Sequence, residues 1–249
     1  MNEIINTLVI KDIKSRFYGN RLAFIWNLLN PLAWIGALLI FFSIVGKQVP
    51  IYTDIISFLI PGMLAYILFR NTINSIMRSK KTSQPIIHFH SVTSHRIITA
   101  AALIELLNCG GAFLLLIFLN YIIYDKIECN DLLVMIYGYF CAWGTGLAFG
   151  CLFVELTTIN PMFDKILPII LRPVFWISGV FYTANELPEW LTDLSIMNPL
   201  FQSIEIIRDG TFLSYQSRTA TYYQPLLTIA GVLVAAVLLH TNQKKLNIY

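Results

Sequence analysis

Glu205 and Arg208 stand three residues apart, a spacing at which a helix puts both side chains on one face, so that acid and base can pair. Such a pair could brace a short helical hairpin, or it could be an ordinary surface ion pair. Trp26, Asn30, Trp34, Ala37 and Phe41 recur every three to four residues, and Phe175, Gly179 and Tyr182 do the same further on. Aromatic rings are good surfaces for the apolar faces of sugars, so a sugar conduit could use these stripes. Lipid-facing, packing and interfacial-belt aromatics have the same pattern. Glu105 interrupts an apolar stretch, as a proton-relay carboxylate would, or as an acid paired with Arg, Asn or a backbone group inside a bundle. His88, His90 and His95 cluster with no carboxylate beside them and read as loop residues rather than ligands. No catalytic residue and no metal site is expected.

Several nucleotide and metal motifs are missing. No G-x-x-x-x-G-K-[ST] loop occurs, so the chain cannot bind nucleotide phosphates by a Walker A loop. There is also no dinucleotide fingerprint, no H-E-x-x-H and no metal-spaced cysteine pair. Gly144, Gly146 and Gly150 include a G-x-x-x-G step, which permits close helix approach within the chain or at a subunit interface.

The elements that must position these residues follow from composition. The chain has 249 residues, 57% hydrophobic and 12% charged, against about a quarter charged in soluble domains. A bilayer span takes about 20 apolar residues, so six helices use most of the apolar stock. A soluble enzyme, a disordered chain and a secreted disulfide scaffold are excluded. Gaps between charges predict spans at about 22–46, 55–77, 97–124, 132–154, 166–182 and 222–240, the fifth tolerating Arg172. Twelve of the 17 Lys and Arg fall in the N-terminal, second-to-third, fourth-to-fifth and C-terminal segments, counting Arg70 at the inner end of the second span. The positive-inside rule therefore puts both termini in the cytoplasm.

Three segments are not simple spans. Residues 1–21 place Ile4, Ile5, Leu8, Val9, Ile13 and Phe17 at helical spacing opposite Lys11 and Lys14, an amphipathic interfacial helix. Residues 78–96 form a basic cytoplasmic loop carrying Arg78, Lys80 and Lys81, which could dock a partner or touch anionic lipid. Residues 183–214 hold apolar pieces too short to cross, punctuated by Pro188 and Pro199. They predict two short helices that dip into the outer leaflet and return, the alternative being a surface loop with a buried turn. The fold class is thus an all-α integral membrane domain over 1–249, with six transmembrane helices, an interfacial helix and short re-entrant helices between spans five and six.

The run Arg16-Phe17-Tyr18-Gly19-Asn20-Arg21-Leu22-Ala23-Phe24-Ile25-Trp26-Asn27-Leu28-Leu29-Asn30-Pro31 resembles the entry into the first span of ABC type-2 permeases, with Ala23 where that family usually has Gly. Leu167-Pro168-Ile169 with Pro173 and Trp176-Ile177-Ser178, then Asn198-Pro199-Leu200 followed by Glu205 and Arg208, resemble its capsule-polysaccharide branch. The resemblance implies a homodimeric inner-membrane permease that exports a lipid-linked capsular polysaccharide. It implies two copies of a separate cytoplasmic ATPase carrying ATP and Mg, a coupling helix in the basic loop, periplasmic export components, and no cofactor or nucleic-acid partner on this chain. Export of O-antigen, teichoic acid or a small molecule, or an integral membrane glycosyltransferase, are the rival readings.

Overall fold

The computed structural model describes residues 33–34, 36–44, 46, 51, 53–83, 94–124 and 129–245. The expected interfacial helix, Trp26, Asn30, His88 and His90 lie outside the described residues. The first described helix, α1, covers residues 36–44, with Trp34 helical just before it. Then follow α2 (Ile55–Ser83), α3 (Ser94–Tyr124), α4 (Leu132–Ile159), α5 (Phe163–Ile177), a single 3₁₀ turn (Ala184–Glu186), α6 (Glu189–Ile196), α7 (Pro199–Thr211) and α8 (Gln224–Lys245). Among the described residues Ile55–Lys80, Leu132–Ile159 and Gln224–Gln243 are long and apolar enough to cross a membrane.

The bundle is built on α2 and α4. Asp131 starts α4 by accepting from the Leu133 and Val134 amides at 2.9 and 3.3 Å, which satisfies two of the orphan donors at a helix start. Small residues then let α4 approach its neighbours. A Cβ built on Gly146 would lie 2.7 Å from the Phe69 carbonyl oxygen of α2, and one on Gly150 2.9 Å from Ile76 Cδ1. Gly144 faces Ile229 of α8 instead. The G-x-x-x-G step is therefore a contact within the chain, where backbones must come close to keep packing dense. Trp143 Nε1 donates to the Ala102 carbonyl at 2.8 Å and joins α4 to α3. On α8, by contrast, Leu226, Leu227, Val234, Val237 and Leu238 are exposed, an apolar face that only lipid or another apolar surface suits.

The helices end at other residues than the expected spans in three places. The second helix continues past Met77 to Ser83 and the third begins at Ser94, so both ends of the expected 78–96 loop are helical; residues 84–93 lie outside the described residues. Polar residues such as Ser79 and Lys80 do not end α2 because they bond within it or across to α4. The fifth helix stops at Ile177 after 15 residues, about 22 Å, short of the roughly 30 Å hydrocarbon core. Gly179 at φ +77° turns the chain there, a conformation that costs glycine little and other residues more. The helix therefore ends five residues before Tyr182, where the expected span ends. The last helix runs from Gln224 to Lys245 rather than 222–240.

Candidate functional site

Two helices do occupy 183–214, and they differ sharply. None of the eight residues of α6 is buried, whereas ten of the 13 residues of α7 are. Asn198 caps α7 by accepting from the Leu200 and Phe201 amides at 3.1 and 3.3 Å, and Pro199 fills the first helical position, where no N–H is needed. The helix is inserted between α2 and α4. Gly138 of α4 lies against Ile207, and Gly210 of α7 against the Met135 amide.

Along this packed helix sits a buried polar network. Arg208 and Glu205 meet at 3.2 Å with both side chains fully buried. Arg208 also donates to the carbonyls of Val180 at 3.0 Å and Tyr182 at 2.7 Å, and its guanidinium lies 4.3 Å over the Phe58 ring of α2, a cation–π geometry. Glu205 Oε2 accepts from the Ala184 amide at 3.3 Å, the Ser217 hydroxyl at 2.7 Å and the Tyr215 hydroxyl. Burial, and then the adjacent Glu205 carboxylate, pushes the Tyr215 phenol far above its ordinary value, so it remains a donor. The network ties the turn after α5 to α7, to the loop before α8 and to α2. The other acids nearby have structural partners too: Glu186 accepts from the Thr183 amide at 3.0 Å, and Asp209 from the Ser217 amide and the Tyr222 hydroxyl, each at 3.2 Å.

A groove of about 550 Å³ lies between Trp34, α2 and α5. Phe175 lies at its centre, with Trp34 edge-on at 5.8 Å, Tyr66 at 4.7 Å and Trp176 at 5.7 Å between ring centroids. Tyr66 donates to the Leu171 carbonyl at 2.8 Å, a bond that fixes α5 on α2. Arg70, Asn74 and Arg172 supply the polar lining. The groove thus combines aromatic faces with a few hydrogen-bonding groups.

Of the stripe residues, Trp34 and Phe175 come together here. Phe41, an exposed residue, packs by Phe42 at 6.1 Å between ring centroids and is not among the lining residues. Tyr182 packs on Phe201 at 6.0 Å and donates to the Ile177 carbonyl at 3.0 Å, so it belongs to the α7 side. Arg78 lies exposed near the end of α2. Lys80 reaches across to α4, donating to the Val154 carbonyl at 2.9 Å and to the Thr158 hydroxyl. Lys81 is helical, its side chain outside the described residues.

Sequence reasoning missed Tyr66, Arg70, Asn74 and Trp176 as groove residues. The signal was present in part: Arg70 and Arg172 each interrupt an apolar run, and such residues in a membrane protein face an interior or a cavity. It also missed a polar cluster at the end of α4. There His240 Nδ1 lies 3.2 Å from Glu155 Oε1, Gln243 donates to the Glu155 carbonyl at 3.0 Å, and His95 packs by His240 at 5.6 Å between ring centroids. His95 is on the first turn of α3, not in a loop. Glu105 is buried within that helix.

No family model matches the chain. It is 23% identical over 242 residues to a polysialic acid transport protein, KpsM, of Escherichia coli, covering 96% of this chain and 93% of that one. It is 22% identical over 213 residues to the capsule polysaccharide export inner-membrane protein BexB of Haemophilus influenzae, and 21% over 209 residues to CtrC, of the same description, from Neisseria meningitidis serogroup A. Each of those two alignments covers 84% of this chain and 79% of the relative.

Proposed function

We propose that this chain is the permease subunit of an ATP-driven exporter that moves lipid-linked capsular polysaccharide across the inner membrane. The observation that carries the reading is similarity along nearly the whole chain to inner-membrane proteins of capsule and polysialic acid export, on an all-helical chain with long apolar helices.

A hydrophilic polymer cannot cross hydrocarbon unaided, so the permease supplies a lined path. The groove at Trp34 and Phe175 suits the first engagement of sugar rings, because its aromatic faces contact them without requiring one linkage. Two copies of the chain, six membrane-embedded helical segments in each with α5 the short one, and both termini in the cytoplasm complete the arrangement. Closure of two partner ATPase subunits on ATP moves the cytoplasmic ends of α2 and α3, the elements carrying Arg78, Lys80 and Lys81 and then His95. The Lys80 bonds to α4 pass that movement to the bundle core, and the α7 network holds the outer turn while it occurs.

The test is genetic and biochemical together. Deleting the gene in its host is expected to abolish surface polysaccharide, and the tagged chain is expected to co-purify with a nucleotide-binding subunit. A deletion strain with normal surface polysaccharide, or a purified chain that recruits no ATPase, rejects the reading.

A further inference from the structure

We propose that Arg70 and Arg172 make the aromatic groove a binding site for an anionic segment of the glycan, a carboxylated or phosphate-linked sugar. The inference rests on the export reading and adds to it the charge class of what the groove receives. Among the described residues the lining contains two arginines and no acid. Among the described residues neither arginine has an acid partner; Arg70 sits beside the Tyr66 hydroxyl. Arg70 is the sixteenth of 29 residues in α2, about 22 Å along the axis from Ile55. It is the one charged residue between Ile55 and Met77. Arg172 lies inside the 15-residue α5, between its two prolines.

A guanidinium stays charged in proteins, and in a membrane protein such a charge faces an interior or a cavity, where a group of opposite sign lowers its cost. Glu205 and Arg208 do this for each other. Among the described lining residues of the groove no acid supplies the opposite charge, and an anionic ligand would. Guanidinium groups bind carboxylate and phosphate oxygens in forked pairs and also stack on aromatic faces. The neighbouring rings of Trp34, Tyr66, Phe175 and Trp176 favour a sugar over a bare lipid headgroup, since they offer flat faces beside the charge. At about 550 Å³ the groove is the size of small-ligand sites, room for a few sugar units.

The full-length chain in phosphatidylcholine nanodiscs is titrated with an oligogalacturonate and with a neutral maltooligosaccharide of matched length, following tryptophan fluorescence. Wild type is expected to bind the acidic oligomer roughly tenfold more tightly than the neutral one, and the R70Q/R172Q variant to lose that preference while keeping neutral binding. Arg172→Gln alone, at an exposed position, is expected to lose part of it, and keeps the test readable if the double variant folds poorly. Equal affinity for the two oligomers, or a double variant that keeps the preference, overturns the proposal. So does selective retention of phosphatidylglycerol by wild type with no oligosaccharide binding, which would mark a lipid site. In cells, wild type and double variant restoring surface polysaccharide equally to a deletion strain overturns the anion site and leaves the export reading standing. A deletion strain that keeps its surface polysaccharide rejects the export reading instead.

Discussion

Glu205 and Arg208 are one helical turn apart on α7, meet at 3.2 Å, and are both fully buried. Removing one member of such a pair leaves an uncompensated buried charge and costs about 3–5 kcal/mol. Glu205→Ala and Arg208→Ala are each expected to lower stability by that amount, and the double variant to lose clearly less than the sum because the two share one interaction. Denaturant unfolding in detergent checks the energies. A Glu205→Ala protein with wild-type stability and full polysaccharide output would show that the pair braces nothing.

Tyr215 supplies a neutral donor to the same carboxylate. Its pKa is raised by burial and by Glu205, so its contribution is present in full below the ordinary tyrosine value near 10 and is lost only as pH rises through the folded value. Tyr215→Phe should destabilise by about 1–3 kcal/mol, with a wild-type-to-variant difference that stays flat from about pH 6 to 9. A difference that varies across that window contradicts the assignment.

Gly146 has no room for a methyl group, whereas Gly110 has nothing within 4 Å of where its Cβ would be. Gly146→Ala is expected to cost about 1–3 kcal/mol by forcing α4 from α2. Gly110→Ala, in the middle of α3, should be neutral or stabilising by up to about 1 kcal/mol. Thermal midpoints of the two single variants decide this, and equal shifts would refute the close α2–α4 approach.

Lys80 fastens the end of α2 to the Val154 carbonyl and the Thr158 hydroxyl of α4. Lys80→Met should cost about 1 kcal/mol in stability and reduce ATP hydrolysis by the reconstituted complex, while ATPase recruitment in pull-downs is kept. Unchanged hydrolysis would remove Lys80 from the coupling path.

Much of the helical pattern was legible because charge is so scarce here. The stretch from Leu132 onward carries no charge until Glu155, and the structure makes it one helix, Leu132–Ile159. Pro188 and Pro199 likewise marked two short helices, now seen at Glu189–Ile196 and Pro199–Thr211. Boundaries were less legible. Lys80 looked like the start of a loop, yet α2 continues through it because α4 supplies acceptors for its ammonium group. Tyr182 looked like part of an aromatic stripe with Phe175, but the turn at Gly179 sends it to Phe201 instead.

The sequence by itself determined the class of molecule: an apolar helical chain, segregated charges and no nucleotide loop, all consequences of local composition and of the cost of charge in hydrocarbon. It also showed that Glu205 and Arg208 could share a face. Only the tertiary structure decided that this face is buried, that Arg208 reaches the carbonyls of Val180 and Tyr182, and that Arg70 and Arg172 line the same groove as Trp34 and Phe175. These groups come from helices far apart in the chain, and helical periodicity relates a residue only to neighbours three or four positions away. Which faces meet depends on where small residues such as Gly138 and Gly146 allow backbones to close. That is settled by packing the whole bundle at once.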